Sequence, residues 1–188
     1  MTLPELIHWL TSTPVNSFVM DLRWVWPISE SLHFCGLALM VGTVGTFDLR
    51  LLGLGKGIPP AVLHRSVRFG VAGFVVSAIT GSLFIFGQPD QYFYNDAFKV
   101  KATCLLLLGL NVLAFYSLEA REVLKLDGAG NASFRAKCFA AISLSLLVLI
   151  MLSGRMLTFF RPAGVFDPDA AAVVIESREL LVRPVNAK

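Results

Sequence analysis

The sequence predicts an all-α protein: a four-helix transmembrane bundle with an N-terminal interfacial helix and a short extramembrane C-terminal tail. Three observations predict it. Hydrophobic residues make up 55% of the 188 positions and charged residues 15%, with a mean hydropathy of +0.69, whereas a soluble domain carries about 25% charged residues. Four apolar stretches each approach or exceed the roughly 20 residues that cross a bilayer as a helix. The connectors between them are short and rich in breakers: GLGKGIPP, GQPDQYFYND and LDGAGN. The chain therefore divides into a membrane domain over residues 1–161 and a tail over residues 162–188. That tail is the longest stretch outside the spans, so no large extramembrane catalytic domain is expected. The net charge of +3 is small and spread out, which argues against nucleic acid as a partner.

Leu3, Leu6, Ile7 and Leu10 fall at i, i+3, i+4 and i+7 behind Pro4, the pattern of a short amphipathic helix. With Trp9 it fits a helix lying in the membrane interface. The first ten residues have no basic n-region and no small-residue cleavage site, so no removable signal peptide is expected. Trp24, Trp26 and Pro27 mark the passage into the bilayer. The predicted spans are Pro27 to Leu52, Val67 to Phe86, Phe98 to Tyr116 and Phe139 to Phe160. Glycines scattered through them, among them Gly36, Gly42, Gly70, Gly73 and Gly109, permit close helix contact, and a compact bundle is expected. Eight Lys and Arg residues flank the membrane on the side of the first–second and third–fourth connections, against five on the opposite side. This bias places both termini outside the cytoplasm.

Cys35, Cys104 and Cys138 are far apart and each lies in an apolar run, so small-residue packing is expected of them rather than a redox pair or a zinc site. Ionisable residues inside the spans are more informative, because isolated charge is costly there. Rise per residue puts His33 roughly 9 Å into the membrane, Lys101 roughly 5 Å and Arg155 roughly 8 Å, all from the same surface. Glu30 is one turn before His33 on the same helix face, and His8 on the interfacial helix belongs to that surface too. Asp48 and Arg50, near the other end of the first span, read as members of a salt-bridge cluster. His64 is roughly 25 Å from His33 by the same arithmetic, so the two cannot share one metal. Asn111, Thr80, Ser143, Ser145 and Ser153 are expected to make interhelical hydrogen bonds.

The stretches ISESLHFCGLALMVGTVGTFDLRLLG, FGVAGFVVSAITGSLFIF, YFYNDAFKVKATCLLLLGLNVLAFY and SLLVLIMLSGRMLTFF together resemble a bacterial family of small four-span inner-membrane proteins, over about Trp26 to Phe160. The layout is also distantly similar to the membrane part of copper-resistance protein D and to the small, haem-associated membrane protoporphyrinogen oxidase. In that wider group a histidine in the first span and a basic residue opening the third recur, and here they match His33 and Lys101.

Three functional readings follow. In the first, His33 is a metal ligand holding a b-type haem or another redox group for electron transfer. Glu30 accepts from the second ring nitrogen, His8 is a further candidate, and Lys101 and Arg155 pair with the two propionates. In the second, the chain is a non-catalytic accessory subunit of a larger membrane complex or a homo-oligomer, and its tail orders against a partner. In the third it carries copper or a small solute, using His33, Met40, Cys35 and Cys104, since soft sulfur ligands select Cu(I). No hydrolase triad, phosphate loop or HExxH motif is present in the sequence.

Overall fold

A computed structural model describes residues 2–157 and residue 159. The chain folds into helices α1 (Leu3–Thr11), α2 (Pro14–Asp21), α3 (Val25–Leu52), α4 (Pro60–Gly87), α5 (Pro89–Phe93), α6 (Asp96–Leu118), α7 (Ala120–Val123) and α8 (Phe134–Met156). Four of them, α3, α4, α6 and α8, are long and apolar enough to cross a membrane. The fold is the all-α bundle that the sequence predicts, and the chain is an integral membrane protein. The C-terminal tail at 162–188 lies outside the described residues.

The boundaries differ from the sequence pattern in instructive ways. Helix α4 begins at Pro60 rather than at Val67, because Pro at a first helical position is already set for the helix. Its first nine residues include His64, Arg65 and Arg68, so hydropathy alone conceals this stretch. Helix α8 begins at Phe134, where the Ser133 hydroxyl accepts the Ala136 N–H at 3.0 Å. Helix α2 is unanticipated: Thr13 caps it and Pro14 opens it. Its Asn16 amide donates to the carbonyls of Phe86 (2.7 Å) and Gly87 (3.1 Å), satisfying groups that the C-terminus of α4 leaves open. Trp9 on α1, Phe18 on α2 and Trp24 at the start of α3 remain exposed, as suits the headgroup level.

Close approach sets the α3–α4 pair. A Cβ at Gly36 would meet the Gly73 carbonyl oxygen at 2.5 Å, and one at Gly73 would meet the Gly36 carbonyl oxygen at 2.5 Å. No larger residue fits at that crossing without parting the helices. Helix α3 also packs on α8, and α8 on α6, whereas α4 and α6 share no comparable interface. The ring of four is thus closed on three sides, not the uniformly compact bundle expected. Two core clusters fill the interior: one around Met40, Cys104, Leu108 and Leu147, the other around Phe47, Leu51, Phe115 and Ala136. Only Cys104 of the three cysteines is buried; Cys35 and Cys138 face outward.

At the end of α3, Arg50 is 2% exposed. Its Nε donates to the Ile58 carbonyl at 2.7 Å, and Nη2 donates to the carbonyls of Gly128 (2.7 Å) and Gly130 (3.3 Å). The Gly57 N–H adds a bond to the Gly128 carbonyl at 2.9 Å. Gly53, Gly55 and Gly57 in the first of these loops all adopt positive φ, a conformation open to residues without a Cβ. The α3–α4 and α6–α8 connections are thereby pinned to one another around a single guanidinium.

Candidate functional site

Two polar stations lie along α3. The first is His33, half-buried against α4. Its Nδ1 is 3.0 Å from the Thr80 hydroxyl, and the Ser77 hydroxyl donates to the His33 carbonyl at 3.1 Å. The Thr80 hydroxyl also donates to the Val76 carbonyl at 2.8 Å. With that bond in place the Thr80 oxygen can accept from an Nδ1–H, the tautomer in which Nε2 keeps the lone pair. Phe84 (ring centroids 5.6 Å apart) and Phe34 (6.5 Å) flank the ring edge-on. Gly81 leaves room beside it: a Cβ there would stand 3.3 Å from the imidazole Cε1.

The other sequence-selected residues distribute unevenly about this ring. Lys101, half-buried on α6, is the charged group that acts on His33. Its ammonium lies against α8, 3.6 Å from where a Gly154 Cβ would be, and so next to the neighbour of Arg155. Arg155 itself is exposed and makes an interaction of its own. Glu30 does not take the place expected of it. The ring nitrogen it was expected to hold is held by Thr80, while Glu30 is exposed and its charge acts on Tyr92. Burial and that carboxylate together push the Tyr92 phenol up to about 12. His8 is exposed on α1. Met40 and Cys104 share a core cluster but Cys35 points outward. Among the described residues no group of three or more His, Cys, Asp or Glu side chains converges in a way that could hold a metal ion.

The second station is Asp48, and the sequence reading misassigned it. Asp48 is 5% exposed and belongs to no salt bridge among the described residues. Arg50, expected in the same salt-bridge cluster, is committed to the loop carbonyls. The Ser143 hydroxyl on α8 hydrogen-bonds the carboxyl, yet Oδ2 is buried with no hydrogen-bond partner. Beside it opens a cavity of about 260 Å³ with walls from all four spanning helices, at the junction of the two core clusters. Nearly all of the wall is apolar; Asn111, Tyr116 and Ser143 are its other polar members. Asn111 donates its amide to the Phe139 carbonyl at 3.1 Å, the interhelical bond expected of it. Tyr116 shares a 2.8 Å hydrogen bond with His64 Nε2.

Compared with family models, curated proteins and solved structures, the chain matches none. Function has to be argued from these two stations.

Proposed function

We propose that this membrane protein holds a b-type haem at His33, in the outer half of the bundle, and serves electron transfer. The observation that carries the reading is the 3.0 Å contact between Nδ1 and the Thr80 hydroxyl, which orients the ring; in the Nδ1–H tautomer Nε2 keeps a lone pair for iron. The donor set favours haem over a copper ion. A bare ion needs several protein ligands, and no group of three converges among the described residues; haem brings four nitrogens and needs one imidazole. Lys101 supplies positive charge at the same level from α6, and Arg155 follows on α8, where two propionates would need them. When bound, the haem supplies one-electron chemistry; the protein's part is the ligand, the counter-charges and an apolar slot. The reading includes an orientation with both termini in the periplasm, from the Lys and Arg bias of the connections.

Absorption spectra of the detergent-purified chain, oxidised and then reduced with dithionite, test it. Haem bands at up to one equivalent per chain are expected, and His33→Ala abolishes them while the bundle still inserts and folds. If the wild-type protein carries neither haem nor stoichiometric metal, and His33→Ala only lowers stability by about 1–3 kcal/mol, the site is structural. The accessory-subunit reading then replaces it.

A further inference from the structure

Asp48 and the cavity beside it form a second site that the haem reading does not use. We infer that this cavity binds a small apolar molecule bearing one protonated amine, with the ammonium on the Asp48 carboxyl.

Charge and hydrogen bonding both select that ligand. A carboxyl at membrane depth without a partner is costly, and each buried polar atom left unpaired adds to the cost. Among the described residues no cationic side chain reaches Asp48: Arg50 is held by three loop carbonyls, and Asp48 is in none of the ion pairs. The buried atom left without a partner is a carboxylate oxygen, Asp48 Oδ2. An ammonium supplies both a donor for that carboxyl and the missing charge. The remainder of the wall, with Val44, Phe74, Leu105 and Phe115, asks for a hydrocarbon body.

Size and access agree. A dry cavity of roughly 150 Å³ accommodates benzene, so about 260 Å³ admits a benzene ring with a short aliphatic arm. Helices α4 and α6 both line the cavity but do not close on each other. Their separation gives a lateral route from the bilayer, where an amphiphilic amine concentrates by partitioning.

The test uses the full chain in phosphatidylcholine nanodiscs near neutral pH, with radiolabelled 2-phenylethylamine as the probe. Its neutral isostere propylbenzene serves as competitor, and empty nanodiscs correct for partitioning. Saturable binding of one amine per chain is expected, with propylbenzene competing at least about tenfold more weakly. Asp48→Asn keeps the side-chain volume and is expected to weaken binding by at least about tenfold. Gly109→Leu keeps Asp48 but adds bulk to the wall. Gly109 lines the cavity, and a Cβ there meets nothing within 4 Å, so this variant folds and is expected to lose the site. Absence of saturable binding to the wild type overturns the proposal. So does equal competition by propylbenzene, undiminished binding to a folded Asp48→Asn, or undiminished binding to Gly109→Leu. None of these outcomes depends on haem, so the two sites stand or fall separately.

Discussion

Replacing Gly73 by alanine tests whether the α3–α4 crossing is what holds His33 in place. A Cβ at Gly73 would be 2.5 Å from the Gly36 carbonyl oxygen, and 3.1 Å from both Leu39 Cβ and Met40 N. Ordinary contact begins near 3.4 Å, so the helices must part by about 0.9 Å, and no flexible side-chain tip is there to yield. The Gly36 side of the crossing is one turn from His33. The Nδ1–Thr80 separation of 3.0 Å and the Ser77–His33 separation of 3.1 Å would both stretch past hydrogen-bonding range. Interhelical hydrogen bonds in membranes average about 0.6 kcal/mol each, so the pair accounts for about 1 kcal/mol. A gap of that width also forfeits up to half of the dispersion at the crossing, about 1–2 kcal/mol over ten to twenty atom pairs. Removing a helix glycine returns about 1 kcal/mol, and the net loss is about 1–2 kcal/mol. Gly109→Ala is the control, since its Cβ meets nothing within 4 Å and only the gain of up to about 1 kcal/mol applies. Unfolding midpoints of the two full-length variants in one detergent measure the difference. Nitrogen-15 NMR of the imidazole reports whether Nδ1 keeps its hydrogen bond. Should Gly73→Ala match Gly109→Ala in stability and leave the His33 resonances unchanged, the crossing does not clamp the ring and the reasoning fails.

Other perturbations address the rest of the bundle. Arg50→Ala removes three charge-assisted hydrogen bonds to part-buried loop carbonyls and should cost about 2–3 kcal/mol. Arg50→Lys, with a single ammonium in place of the fork, should recover less than half of that in the same unfolding assay. Asn95, 1% exposed, accepts the Ala97 N–H at 2.9 Å and donates to the Leu157 carbonyl at 3.1 Å. Asn95→Ala is expected to lower stability by about 2–3 kcal/mol, with Asn95→Asp, which keeps the cap, recovering part of it. Tyr92 yields a pH prediction. Its phenol ionises near 12 in the folded chain against 10.0 ordinarily, so the folded state holds the proton more tightly. That contribution to stability is complete below about pH 10 and lost as pH rises from about 10 to about 12. Ultraviolet titration should show a highest-pH tyrosinate step that Tyr92→Phe removes and Glu30→Gln moves downward.

The sequence made some of this site legible and left some hidden for identifiable reasons. Depth arithmetic along antiparallel helices brings His33 and Lys101 to one level, and the Lys101 charge reaches the half-buried imidazole. The partner of His33 was not legible. Glu30 is close along the helix, but the bond goes to Thr80, whose position depends on how α4 is registered against α3. The glycine crossing sets that register, and a single sequence does not say which glycines meet. Asp48 belongs to none of the ion pairs of the described residues: Arg50, two residues on, lies on another face of the helix and is committed to loop carbonyls. Helix α2 was legible and passed over, since Thr13 before Pro14 is a cap followed by a first-turn proline. The cavity was hidden altogether, because it arises from an interface that does not form.

That missing interface has a physical origin that links the two stations. His33 and Asp48 are fifteen residues apart on α3, roughly 22 Å along the axis. Gly36, Gly70 and Gly73 bring α3 and α4 into near-backbone contact, and this proximity places Thr80 on the His33 ring. A helix drawn so tightly to one neighbour has little freedom to lean toward another, because packed helices move as rigid bodies. Helix α6 is likewise committed to α8. With α4 held to α3, and α6 to α8, the remaining gap falls between α4 and α6, beside the face of α3 that carries Asp48. In a soluble protein such a gap would collapse under the hydrophobic effect. Lipid is as apolar as the helix surfaces it would free, so here no comparable force closes it. The close packing that orients one polar side chain thus leaves the other facing a cavity open to the bilayer.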